Sequence, residues 1–405
     1  MKYDTIIIGG GASGLCTAIL SKTDNNSILI IDHSDRVGKK ILSTGNGKCN
    51  LTNRFCKVDL FDSNPEGIYP YYPEQNRSFA ESVIGQFDCD QTISFFQSLG
   101  MLLEDKNGYI YPRSEQASSV LDMLRFRCED LGIDMVTNYQ PMKITRKKGL
   151  FHVDDEYTCH NLVLATGGMS VPKTGSDGSG YEYAKAFGHS IVEPIPCLCA
   201  LRCSDPFFKE LAGVRNDSRV TLLDEEKNPL MDVTGNLQFN DYGVSGIPIF
   251  QISSIAGRLL EEGKQLSLRI DLLPEIFIED LTAFLDQKND HMLLGILNKK
   301  LANVIDKEAR NKTGHENETP GYVRAVIIKK FKVHAVGLNP FEESQVTAGG
   351  VSVDEICPDT CGSGLVDNLY FAGEIIDING ICGGYNLQWA WATAHAVSKA
   401  IKAQL

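Results

Sequence analysis

Gly9, Gly11 and Gly14 stand in the spacing G-x-G-x-x-G. That pattern does one kind of chemistry well: it brings backbone N–H groups up to a pyrophosphate. The first glycine permits a tight turn, the second a close approach of the main chain to phosphate, and the third a helix packed hard on a strand. Asp32 lies 18 residues beyond Gly14, where such a unit sets a carboxylate against a ribose hydroxyl. Glycine-rich turns are common, so the pattern takes its meaning from the elements that hold it. Thr5-Ile6-Ile7-Ile8 reads as a buried strand, Leu15-Cys16-Thr17-Ala18-Ile19-Leu20 as a helix, and Ser27-Ile28-Leu29-Ile30-Ile31 as the next strand. Strand, turn, helix and strand in that order aim the helix N-terminus at a nucleotide. A βαβ unit without a ligand is the plain alternative.

Further stretches of the same character follow. Ser43 to Asn53 is dense in Gly, Asn, Ser and Thr, a loop rich in hydrogen-bonding groups. With Lys39, Lys40 and Lys48 around it, the loop could neutralise a pyrophosphate; a solvated surface loop is the alternative. Asn161-Leu162-Val163-Leu164-Ala165 ends in Thr166-Gly167-Gly168, which suits a second close backbone approach to the same cofactor. Gly175 to Gly180 lacks the G-K-[ST] ending of a Walker loop and reads as a flexible turn. Near the C-terminus, Leu369-Tyr370-Phe371-Ala372-Gly373-Glu374 and Cys382-Gly383-Gly384 precede a helix opening at Asn386-Leu387 and running to about Lys402. Such a helix N-terminus would stabilise the negative charge that forms at a flavin's N1–C2=O edge on reduction, whereas a simple docking helix explains only Trp389 and Trp391.

These stretches must be positioned by more than one domain, since 405 residues suffice for two or three. The expected division is a dinucleotide domain over 1–190, an insert over 191–344, and a return to the first domain over 345–405. Within the insert, 191–272 alternates like an antiparallel barrel, 273–330 turns helical around a polar loop at Asn311 to Pro320, and 331–344 leads back. The region from Phe61 to Gly132 reads as mixed loop and helix, with a helical period from Ala80 to Leu99. No second strand–G-x-G-x-x-G–helix occurs, so a dedicated nicotinamide domain is not expected.

A net charge of −13 without a basic stripe argues against nucleic acid as a partner. No apolar stretch is long enough to cross a bilayer and none reads as a signal peptide, so a cytoplasmic protein with no membrane partner is expected. Twelve cysteines then read as reduced thiols. Cys197-x-Cys199-x-x-x-Cys203 and Cys357-x-x-x-Cys361 lack the paired spacing of a zinc site, and no metal is expected.

Taken together, the Gly9–Gly14 turn, Gly45-Asn46-Gly47-Lys48-Cys49-Asn50-Leu51-Thr52-Asn53, Ala165 to Gly168, Gln345 to Val351, and Ala372 through Leu387 resemble one bacterial family over essentially the whole chain. It is the BaiN-like flavoproteins, which include aminoacetone oxidase and 3-dehydro-bile-acid reductase-type members. The resemblance implies an α/β fold: a Rossmann FAD-binding domain of the glutathione-reductase and fumarate-reductase kind, discontinuous, with an inserted β-barrel plus helical domain. It implies FAD contacts from Gly9, Gly11, Ala12, Gly14, Asp32, Lys39, Lys40, Gly45, Asn50, Met142, Ala165, Thr166, Glu374, Asn386 and Leu387. Many members carry Arg where Lys48 stands, and many have Phe-Thr-His where this chain has Phe239-Asn240-Asp241-Tyr242.

The function expected is an FAD-dependent oxidoreductase that reduces a carbonyl-conjugated C=C in a small apolar substrate such as a 3-oxo bile acid. NAD(P)H would reduce the flavin from a transient site. Tyr242 as proton donor and Arg113 as carbonyl clamp are the catalytic candidates, although an arginine at Arg113's position is more often a surface ion-pair residue. An amine oxidase of the aminoacetone type and a non-catalytic flavin-binding redox sensor are the alternatives.

Overall fold

The run Thr5-Ile6-Ile7-Ile8 is buried at every position and forms the end of strand β1 (Lys2–Ile8), with neighbours on both sides. A strand covered on both faces needs no polar alternation, which is why it reads as a continuous apolar run. The structure, a computed structural model, describes residues 1–56, 74–287, 292–311 and 318–405. Parts of the region from Phe61 and of the polar tract Asn311 to Pro320 lie outside the described residues.

Around β1 a parallel sheet is built. Helix α1 (Ala12–Ser21) connects β1 to β2 (Ile28–Ile31), which is followed outward by Asp134–Val136; on the other side lie Tyr157–Leu164 and then Leu369–Phe371. The register sets Ile8 level with Ile31 and Leu164, Ile31 level with Val136, and Leu164 level with Phe371. Five strands therefore end along one line. Each following segment, from Gly9, Asp32, Thr137, Ala165 and Ala372, emerges at the same edge of the sheet. In open α/β sheets that edge is where ligands bind.

Helix α1 packs against the last helix, Tyr385–Lys402, whose Trp389, Trp391 and Val397 are buried. The helical period from Ala80 to Leu99 is two helices, Glu74–Gln86 and Cys89–Ser98. Asp88 divides them. Its side chain accepts the Asp90 and Gln91 N–H groups at 2.8 and 3.1 Å while Gln91 answers its backbone N–H, a reciprocal cap that restarts the helix.

The chain divides into two compact units, residues 1–195 with 345–405, and residues 196–344. The change of unit comes after residue 195 and not at 191, because the strand Ile191–Cys197 pairs with Val346–Val351. The second unit holds a closed six-stranded barrel, in the order Leu201–Cys203, Gly243–Gly246, Pro229–Asn240, Arg215–Leu223, Leu266–Asp271 and Phe331–Leu338. Phe331, Val333 and Ala335 alternate with exposed residues, as the inner face of a barrel requires. That unit also holds the helices Phe208–Leu211, Ile247–Glu261, Ile278–Leu285, Lys299–Asn311 and Pro320–Lys329.

Candidate functional site

The segments that leave the level strand ends of the first unit enclose a cavity of about 1180 Å³, open solvent included. Three glycines shape its floor, each for a different reason. Gly9 has φ +102°, and a Cβ there would lie 2.4 Å from the Ala165 carbonyl oxygen. Gly14 sits where a Cβ would lie 1.9 Å from the Gly9 carbonyl oxygen, so α1 can approach β1 only without one. Gly11 is the opposite case: a Cβ would meet no protein atom within 4 Å, and the residue faces the cavity. Gly11 also caps α1 without any side-chain acceptor, and the first turn carries no acidic residue. The helix thus presents its N–H groups and positive dipole end to whatever fills the space.

Asp32 stands at the next strand end. Its Oδ2 accepts the Gly10 N–H and its Oδ1 the Ser34 N–H, both at 2.8 Å. The carboxylate is thereby fixed on the cavity wall with lone pairs left for a hydroxyl donor. On the far side, Thr166 lines the cavity with its Oγ1 buried and without a hydrogen-bond partner. An orphaned hydroxyl at a cavity wall is a place where a ligand atom belongs.

The lysines behave differently from expectation. Lys39 and Lys40 both line the cavity, but Lys39 is paired with Asp35 at 2.5 Å and Lys40 with Glu374 at 2.7 Å. Lys48 is outside the lining set, held by Glu115 at 2.8 Å. Arg36 lines the cavity as well, and among the described residues no carboxylate lies within ion-pair distance of it. Glu374, also on the wall, uses its second oxygen to accept the Thr347 N–H at 2.7 Å.

Other expected contacts are placed unevenly. Gly9, Gly11, Ala12, Asp32, Ala165, Thr166, Asn386 and Leu387 line the cavity. Gly14 supports it from behind. Gly45 and Asn50 are beside it: a Cβ on Gly45 would lie 2.8 Å from the Asn50 N, and Asn50 is buried against the Gly384 turn. The Asn386 side chain is spent on its own loop, bonded to both the N–H and the carbonyl of Gly380. Met142 departs furthest. The residue is 93% exposed, and the cavity-lining residues of its segment are Tyr139, Gln140 and Pro141.

Neither catalytic candidate joins this set. Arg113 is an exposed residue whose guanidinium lies 3.5 Å from Glu104, the surface ion pair that was its alternative. Tyr242 belongs to the barrel unit, where its hydroxyl accepts the Asn339 amide N–H at 3.0 Å and Arg202 lies over its ring. Sequence reasoning passed over Ser176 and Ser179, which the loop at Gly175 to Gly180 brings onto the wall. Its signal was place, not motif: it follows the Ala-Thr-Gly-Gly strand end. Tyr183 lines the wall too, with its phenol pushed up to about 12 by burial and by Asp154 and Asp177.

All twelve cysteines are free, and among the described residues no group of three or more His, Cys, Asp or Glu is placed to hold a metal ion. No helix is long and apolar enough to cross a membrane, among the same residues.

Open space at Gly11, an uncapped helix N-terminus, the fixed Asp32 and the orphaned Thr166 hydroxyl together fit a flavin dinucleotide. Comparison with known proteins agrees with that fit. The family model described as HI0933-like protein Rossmann domain matches residues 3–400. The chain is 36% identical to the 3-dehydro-bile acid delta(4,6)-reductase of Clostridium scindens, covering 97% of this chain and 98% of that protein. It is 28% identical to the ribosomal RNA dihydrouridine synthase of Escherichia coli, covering 98% of each. Among solved structures, the 3-ketosteroid delta1-dehydrogenase of Sterolibacterium denitrificans superposes with a TM-score of 0.51 at 11% identity, covering the whole of both chains, a likeness of fold.

Proposed function

We propose a hydride-transfer reaction for this chain, which belongs to the HI0933-like Rossmann family and is an FAD-dependent oxidoreductase. The reaction is reduction of a C=C bond conjugated to a carbonyl, in a small apolar substrate such as a 3-oxo bile acid, with NAD(P)H as electron donor. One observation carries it: relatives of two kinds are named for the same bond change. A delta(4,6)-reductase of a 3-dehydro bile acid and a dihydrouridine synthase both saturate a carbon–carbon bond conjugated to a carbonyl. The higher identity to the bile-acid enzyme and the net charge of −13 favour the small acid over an RNA substrate.

When bound, FAD supplies a two-electron carrier between a nicotinamide and an electron-poor carbon. The chain's part is to bind, orient and tune it. Asp32 would accept ribose hydroxyls, and the N–H groups of Ala12 and Ser13 with Arg36 would meet the pyrophosphate. Thr166 Oγ1 would gain the partner it lacks. The last helix opens at Tyr385 behind Gly384 with no acidic residue in its first turn, and Asn386 and Leu387 reach the cavity. Its positive end would stabilise negative charge there.

Anaerobic stopped-flow with NADH and NADPH, followed by mixing with a 3-oxo-4,6-diene bile acid, tests the reading. Flavin bleaching and then reoxidation with loss of the diene absorbance is the expected course. No bleaching by either nucleotide overturns the NAD(P)H-driven version. Reoxidation only by unmodified ribosomal RNA moves the substrate to uridine, and peroxide release with aminoacetone in air moves the enzyme to the oxidases.

A further inference from the structure

The turn joining the strands Leu150–Val153 and Tyr157–Leu164 carries a carboxylate that reaches out of its own hairpin. Asp154 Oδ2 accepts the Tyr139 hydroxyl at 2.6 Å and the Met142 N–H at 3.3 Å, while Oδ1 accepts the Lys143 N–H at 2.8 Å. Its own N–H donates to the Lys143 carbonyl at 2.8 Å. One residue therefore holds the segment 139–143 through both its side chain and its main chain. It does so at φ +48°, a left-handed conformation that a non-glycine residue keeps only where its surroundings enforce it.

The segment so held is a wall of the cavity. Tyr139, Gln140 and Pro141 line it, and Tyr183, another lining residue, donates to the Pro141 carbonyl at 2.6 Å. The Tyr139 N–H is bonded to the Asp32 carbonyl at 3.1 Å, and the Asn138 N–H to the Ser34 carbonyl at 2.8 Å. The wall is thus anchored at one end to the strand end that carries the ribose-binding carboxylate, and at the other end to Asp154, which itself is outside the lining set.

We propose that Asp154 is a positioning residue for the adenosine half of the cofactor: it fixes the Tyr139–Pro141 wall beside Asp32 and thereby sets nucleotide affinity, without acting on the redox ring. This rests on the FAD reading of the site. Burial works to raise the Asp154 carboxyl, but the Tyr139 hydroxyl and the backbone N–H groups outweigh it and hold it below the usual carboxylate range. It is ionised at neutral pH, and every hydrogen its carboxylate accepts here comes from the segment 139–143. Burial and then the bond to Asp154 push the Tyr139 phenol above its usual value, so the donor keeps its proton.

The test uses the full chain, stripped of flavin and titrated with FAD, with ADP as a competing probe that carries the adenosine half alone. Asp154→Ala is expected to weaken FAD and ADP by the same factor, about tenfold or more, since bonds to a charged acceptor are lost. Tyr139→Phe removes one of these bonds and is expected to weaken both several-fold. The absorbance maxima and midpoint potential of the bound flavin stay at the wild-type values in both variants. If Asp154→Ala does not fold, Tyr139→Phe carries the test. FAD and ADP affinities within about twofold of wild type in the folded variants would overturn the proposal. So would a shifted flavin potential with ADP affinity unchanged, which places the effect at the ring. A wild-type chain that binds no FAD instead overturns the cofactor reading, and this inference with it.

Discussion

The nucleotide unit and the barrel unit differ in how they treat buried polar atoms. In the barrel unit these groups are mostly satisfied. Ser253 donates to Phe250 and accepts from Leu198, and Asn216 donates to Ser218 and to the Leu272 carbonyl. Among the described residues, Asn339 Oδ1 is the one buried side-chain polar atom there without a hydrogen bond. The nucleotide unit leaves several, including Thr5 Oγ1, Asn161 Oδ1, Thr166 Oγ1 and the Tyr181 hydroxyl. Each such atom costs roughly 1–3 kcal/mol of stability. Tyr181 bears the mark of this: burial first, then Glu374 and Asp377, push its phenol well above the usual range. The nucleotide unit therefore gives up stability at several buried polar atoms that the barrel unit satisfies, and one of them, on Thr166, stands on the cavity wall.

The sharpest way to break that contrast is a pair of alanines in one motif. Gly14→Ala puts a Cβ against main chain at 1.9 Å, which no rotamer relieves. It is expected to cost more than about 3 kcal/mol and to abolish FAD retention, read by melting and by yellow colour. Gly11→Ala meets nothing of the protein. It is expected to leave the melting of the flavin-free chain unchanged while lowering FAD affinity by about tenfold or more. Equal losses of apo stability in the two variants would mean that the space at Gly11 is not a ligand's.

The barrel answers a cavity in the opposite sense. Phe239 is fully buried between Phe208 and Phe331, and Phe239→Ala is expected to cost about 3–5 kcal/mol. Bound flavin should stay at wild-type stoichiometry below the melting transition, as seen by absorbance beside circular dichroism. Thr166→Val gives a smaller effect of reversed sign. Removing an unpaired buried hydroxyl at constant shape should leave the flavin-free chain as stable or up to about 1 kcal/mol more stable. FAD should bind it more weakly. Tighter FAD binding would remove Thr166 from the site.

How much of this was legible in the sequence follows from the same contrast. The glycine turn, Asp32 and the Ala-Thr-Gly-Gly end could be read because short-range sterics and strand periodicity act within a few residues. The division at 195 could not, since most of the strand Ile191–Cys197 falls in the first unit, where it pairs with a strand about 150 residues later. Lys40 looked free because the fold sets Glu374 beside it from 334 residues away, whereas Asp35, which holds Lys39, stands only four residues before it. Met142 was three residues from the segment's first cavity-facing side chain, Tyr139, a distinction that depends on which way the chain turns after the strand Asp134–Val136. Asp154 had no motif at all. Its importance lies in hydrogen bonds across 11 to 15 residues.

Acid should find the nucleotide unit by the same route. His189 is buried there with Nε2 2.7 Å from Ser363 Oγ and Nδ1 3.2 Å from Glu355, its edge against Phe371. Burial lowers its pKa despite the pull of Glu355. His395, stacked on Phe87, is lowered by burial and by Lys399 and Lys402. A histidine lowered on folding takes up its proton more readily in the unfolded chain. Its share of stability is therefore complete above about pH 6.5 and falls as the pH drops through that value. Glu355, held below the usual carboxylate range although burial opposes it, adds a loss only at lower pH. Both tryptophans, Trp389 and Trp391, lie in this unit, so their fluorescence reports its melting alone. A lower midpoint at pH 5.5 than at pH 7.5 is expected, with the difference reduced in His189→Gln. A midpoint independent of pH over that interval would mean that neither imidazole resists its proton, and that the unit bears its buried polar groups without strain.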